Sequence, residues 1–249
     1  MQDWLFFEVT GVLSCMLMVR TSSIKMKDDR AYFEKEQFSG VGLSFQRDGW
    51  LANANVFSRG QVVGPFEHSP IDRRSKSEFI ESEYLDNKDD EGYCHWLDLP
   101  QSLNGEPFGG VAFSFDDSGR CEAEYGFYPN GVNAYEIGYD LQGRRTSVTI
   151  GNESVSEVYK FSNGKIVDID IIERLSRGHN FKALSVRYSS DGMIQKLCLE
   201  HEYFLLRTQH VWKSLIVDLP EALSEFANLE FTNDAILTGS SGEKLKKQI

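Results

Sequence analysis

The chain is expected to be mainly β: consecutive antiparallel hairpins forming a curved sheet or a sandwich, with one short C-terminal helix. Three observations predict this. Aromatic residues recur three or four positions ahead of a glycine, with polar turn residues between. Period-two alternation of apolar and polar residues follows several of those glycines. Helix-start chemistry is clear in one segment, after Asp218.

In chain order, the apolar start reads as two buried strands, residues 4–9 and 12–20, with Gly11 at a bend or bulge. Asp3 and Glu8 stand where a signal peptide wants Lys or Arg, and the apolar run is shorter than the roughly 20 residues of a membrane helix. A cytoplasmic protein is therefore expected, with no membrane partner. Aromatic-to-glycine tips then run from Phe45 to Gly49, Phe57 to Gly60, Phe115 to Gly119, Tyr128 to Gly131, Tyr139 to Gly143, Phe161 to Gly164 and Tyr188 to Gly192. Asn-Gly and Asp-Gly supply the positive φ that tight turns require, and the aromatic ends the incoming strand. Gly119, Gly131 and Gly143 are evenly spaced, 12 residues apart. Alternation marks the outgoing strands. Cys121, Ala123, Tyr125 and Phe127 fall on one face and Glu122 and Glu124 on the other. Val167, Ile169 and Ile171 likewise oppose Asp168 and Asp170.

Two stretches interrupt the meander. Residues 68–92 are polar and acidic and read as a long loop with a short helix over residues 77–85. Residues 218–231 read as the helix, with Asp218 as cap, Pro220 in the first turn and Glu221 favourable to the dipole. The expected organisation is a single β-rich domain over residues 1–237. It divides into N-terminal strands (1–66), an acidic loop and connection (67–107), hairpin repeats (108–217) and the helix (218–231). Residues 238–249 form a mobile tail.

Tyr139, Asp140, Gly143 and Arg144 resemble the tyrosine–aspartate repeat of the Rhs family, whose units run Tyr-Asp, two variable residues, Gly-Arg and a strand. The stretches starting at Tyr128 and Phe161 look like MORN-like hairpin units of bacterial antitoxin-type proteins. The similarity covers residues 113–203. It implies a bacterial hairpin-repeat protein from the toxin–immunity world.

Composition narrows the function classes. Net charge is −12 and 41% of residues are hydrophobic, enough for a core. Such acidity repels phosphate backbones, which speaks against nucleic acid, and attracts a basic protein. Cys15, Cys94, Cys121 and Cys198 are scattered and read as reduced thiols. No phosphate-binding, dinucleotide or zinc-protease motif occurs, and no cofactor or metal is expected. Cys198 and His201 stand three apart, so in a strand they face opposite ways, as do the neighbours Cys94 and His95 of the run to Asp98.

Three functions are in view. The first is a non-catalytic immunity or antitoxin protein that neutralises a basic toxin. Its contact acids would be Glu81, Glu83, Asp86, Asp89, Asp90 and Glu91 in the loop, or Glu122, Glu124, Asp168 and Asp170 on the hairpin face. The second is a structural β-repeat scaffold. The third is a carbohydrate-active hydrolase using paired carboxylates.

Overall fold

A computed structural model describes residues 16–68, 77–86, 100–151, 155–174, 180–188, 194–199, 230–231 and 237–238. It is mainly β, as expected, with antiparallel pairing predominant. The chain divides into two compact units, residues 1–148 and 149–249.

The strands of the first unit are β1 (Met18–Arg20), β2 (Lys25–Lys27), β3 (Arg30–Phe33), β4 (Glu36–Gln37), β5 (Gly40–Phe45), β6 (Leu51–Ser58) and β7 (Gln61–Pro65). After these come β8 (Phe79–Glu81), β9 (Ser102–Leu103), β10 (Glu106–Pro107), β11 (Val111–Phe115), β12 (Cys121–Phe127), β13 (Asn133–Tyr139) and β14 (Arg145–Gly151), whose last three residues fall past the division at residue 148. One sheet has the order β1-β5-β6-β7, and another runs β8-β11-β12-β13-β14. The strands β2, β3 and β4 form a small sheet, and β9 pairs with β10. In each larger sheet the first pair is parallel and the next is antiparallel.

These two sheets belong to one motif present twice. Phe38 and Phe108, Gly40 and Gly110, Val41 and Val111, Ser44 and Ser114, Phe45 and Phe115, Gly49 and Gly119, and Phe57 and Phe127 each stand 70 residues apart. The hydrogen bonds repeat with them. Val41 N–H donates to the Leu17 carbonyl as Val111 N–H does to Glu78. Phe38 donates to Ala31 as Phe108 does to Gln101. Each first strand runs into a single 3-10 turn, Thr21–Ser23 or Ser82–Tyr84. Even the bulges match: Val63 is the extra residue opposite β6, and Ala134 the extra one opposite β12. Residues 17–68 and the described residues of 78–139 are thus two copies of one design.

The copies clasp each other reciprocally. Arg20 N–H donates to the Gly119 carbonyl at 2.8 Å, and its counterpart Glu81 donates to Gly49 at 3.0 Å. Val19 bridges to Arg120, and its counterpart Ile80 bridges to Trp50. Reciprocity of this kind marks a two-fold relation, here between halves of one unit. The core follows the same plan. Val19, Phe38 and Phe57 anchor one cluster, and Ile80, Phe108 and Phe127 anchor its counterpart. Val41, Leu43, Val111 and Phe113 form a cluster that both copies supply.

Tight turns close as their glycines require. Gly49, Gly60, Gly119, Gly131, Gly143 and Gly164 all have positive φ; Gly192 lies outside the described residues. Gly119 N–H donates to Asp116 and Asp116 N–H to the Arg120 carbonyl. The same pair of bonds recurs at Asp140, Gly143 and Arg144. These are type I turns completed by a left-handed glycine. Arg59–Gly60 and Asn163–Gly164 instead put both central residues at positive φ, the two-residue hairpin turn.

The second unit contains β15 (Val155–Ser162), β16 (Lys165–Arg174), β17 (Asn180–Tyr188) and β18 (Ile194–Leu199), an antiparallel meander in that order. The two-residue strands β19 (Glu230–Phe231) and β20 (Leu237–Thr238) pair with each other.

Two expectations about helix meet different fates. The short helix over residues 77–85 is replaced by β8 and one 3-10 turn. The open edge of β11 recruits Phe79, Ile80 and Glu81 as a parallel strand, and that pairing outweighs local helix propensity. The helix over residues 218–231 lies outside the described residues, apart from Glu230 and Phe231, which are strand. The N-terminal strand over 4–9 lies outside them too; of 12–20, Met18–Arg20 is strand. No helix among the described residues is long and apolar enough to cross a membrane.

Candidate functional site: a charged axis and a buried carboxylate

The reciprocal clasp places Arg20 and Glu81, equivalent residues of the two copies, face to face. Arg20 Nε lies 3.1 Å from Glu81 Oε1, and Arg20 Nη2 donates to Glu83 Oε1 at 3.3 Å. The guanidinium also sits over the Phe115 ring, 4.8 Å from its centroid. Glu81 is buried, contrary to its expected role as a loop acid. Recruitment of β8 into the sheet takes it out of solvent. Burial and the neighbouring Glu83 carboxyl push its pKa up to about 7, while Arg20 pulls the other way.

Glu83 and Asp86 remain exposed. Asp86 is engaged at one end of its segment: its Oδ2 accepts from Gly105 N–H at 2.8 Å and from the Ser102 hydroxyl at 3.0 Å. It fastens the Asn104–Gly105 turn. Asp89, Asp90 and Glu91 lie outside the described residues.

The expected acidic hairpin face is not an open patch. Glu124 is buried, 2% exposed, because β12 is covered on both faces. Its carboxylate accepts from the Tyr135 hydroxyl at 2.8 Å and the Tyr139 hydroxyl at 3.1 Å, and His68 Nε2 lies 2.9 Å away. Burial alone would raise its pKa. The facing imidazole and the two tyrosine hydroxyls outweigh that and hold it below the usual range. His68 is enclosed by Phe66, Phe79 and Phe113. It ends the first copy and is held by a carboxylate of the second. Glu122 accepts from the Ser114 hydroxyl at 3.0 Å.

In the second unit Asp170 is buried as well, accepting from the Ser185 hydroxyl at 2.7 Å, with Lys160 Nζ at 3.5 Å. Asp168 stays partly exposed and bonds Arg187 Nε at 2.9 Å. Neither expected acid pair therefore presents two free carboxylates on one face. Cys121 is likewise spent: burial and the nearby Glu124 push its thiol pKa well up, which removes the thiolate a nucleophile needs. Among the described residues no group of three or more His, Cys, Asp or Glu side chains could hold a metal. The Cys94–Asp98 run and His201 lie outside the described residues.

Sequence reasoning missed the Arg20–Glu81 axis and the binding of His68 by Glu124. The signal for the first was present as the 70-residue recurrence of phenylalanine, glycine and valine. Compared with protein-family models and with curated proteins, the chain shows no match.

Proposed function

We propose that this chain is a non-catalytic binding protein of the immunity or antitoxin type, which neutralises a basic toxin domain in the bacterial cytoplasm through an acidic segment. One observation carries the reading. Ile24 and Ala31, in the first copy, are seven positions apart; their counterparts Leu85 and Gln101 are sixteen apart. The second copy thus carries nine extra residues at a point that the first copy closes without them. Insertions into a repeated scaffold are free of the scaffold's packing demands and commonly form its recognition surface. The inserted stretch holds Asp86, Asp89, Asp90, Glu91 and Asp98 against Lys88. Acids so placed would steer a cationic partner and speed its association.

The test is charge reversal at Asp89, Asp90 and Glu91 to Lys, sparing Asp86, which fastens a turn, and Glu83, which bonds Arg20. Co-expression with the product of the neighbouring reading frame should protect cells when the wild-type chain is supplied. The triple variant should associate more slowly with that product, most steeply at low ionic strength. No protection by the wild type, or unchanged association by the variant, would overturn the reading.

A further inference from the structure

The two copies differ at one sheet edge. In the second, β13 leads into the tip at residues 140–144 and β14 returns beside it, so β13 lies between β12 and β14. In the first, the equivalent strand β7 is flanked by β6 alone among the described residues. From Pro65 to His68 the chain does not turn back. Phe66 N–H bonds the Ala54 carbonyl, and His68 goes to Glu124. Among the described residues, no returning strand of the first copy stands beside β7.

That edge exposes two valines. Val62 is 59% and Val63 66% exposed, neighbours on one five-residue strand that carries no charge. An edge strand offers a row of backbone donors and acceptors, and proteins usually guard it with charge, a bulge or proline. Here charge is absent. The bulge at Val63 does not close the edge, since β13 has the same bulge at Ala134 and is still paired by β14. Pro65 removes an N–H only at the end of the strand.

We propose that β7 is a strand-acceptor edge, which binds an extended, β-branched segment of a partner protein antiparallel to it, where β14 stands beside β13. The chemistry of the occupant is read from β14, whose Thr146, Val148, Thr149 and Ile150 are β-branched. Main-chain hydrogen bonds would supply the affinity, and the side chains lying over Val62 and Val63 the selectivity. A second copy of this chain fits less well, because each copy carries a net charge of −12. This surface is separate from the acidic segment, and the proposal does not depend on the one above.

The probe is a synthetic peptide with the sequence of residues 144–151, added up to millimolar concentration to the 15N-labelled full chain. The expected result is saturable amide shifts centred on Gln61, Val62, Val63 and Gly64, with slower hydrogen exchange there. A peptide with proline at the positions of Thr146 and Val148 leaves the protein untouched and should lose the effect. Absent shifts, shifts centred elsewhere, or shifts that survive the proline peptide would overturn the proposal. So would β7 shifts that depend on protein concentration without peptide, which would make a second copy the occupant.

Discussion

Glu81 and Glu124 are both buried carboxyls, and their surroundings drive them in opposite directions. Glu124 has three donors and is held in its ionised form. Glu81 has one guanidinium, shared with Glu83, and its pKa rises from 4.5 to about 7. The consequences for stability have opposite sign. A raised folded pKa means that the native state binds the proton more tightly, so Glu81's contribution is full below pH 4.5 and is lost as pH climbs to about 7. Glu124's depressed pKa gives stability above the unfolded value that disappears as pH falls through the folded one. Denaturant unfolding measured from acid to neutral pH should show both arms. Glu81→Gln should flatten the fall toward neutrality and leave the acid arm in place. An unchanged fall in that variant would mean that another group titrates there. Alternation in the sequence placed Glu124 outward because it assumes one open sheet face. The burial of both faces of β12 depends on residues more than 50 positions away, such as His68, and no local period reports that.

At the scale of elements, the turns and the antiparallel partners they join were legible, and the parallel partners were not. A tip needs a residue at positive φ, and only a few residue types supply it cheaply, so Gly131 and Gly164 could be read from the Asn before each. The two glycine environments now separate two costs. Gly164 has φ +75° and nothing within 4 Å of where a Cβ would stand. Gly164→Ala should therefore cost only the left-handed penalty, on the order of 1 kcal/mol. Gly119 has φ +86°, and a Cβ there would collide with the Ser23 hydroxyl of the opposite copy. Gly119→Ala should cost clearly more than Gly164→Ala in the same urea unfolding series; equal costs would contradict the clasp between the copies. The parallel strand β8 escaped the sequence reading for a related reason. Three residues are too few to show a period, and their conformation is set by β11, some 30 residues later.

At the scale of the molecule, the even 12-residue spacing of Gly119, Gly131 and Gly143 drew attention to single hairpins, while the larger unit repeats at 70 residues. Hairpin tips recur for local reasons, so their spacing says little about how a fold is assembled. The recurrence of Phe38, Val41, Phe45 and Phe57 as Phe108, Val111, Phe115 and Phe127 says more, because these residues build cores. Duplication also shows where the copies differ: a nine-residue excess between Leu85 and Gln101 and, among the described residues, no strand beside the outer edge of β7. On the proposed function, the excess serves recognition and not folding. This role is tested most directly by replacing residues 87–99 with four residues in the full chain, which restores the seven-position spacing of the first copy while keeping Asp86 and Pro100. Thermal unfolding is measured together with protection against the neighbouring gene product. An unchanged cooperative transition and lost protection are expected. A chain that no longer folds, or one that still protects, would contradict that role.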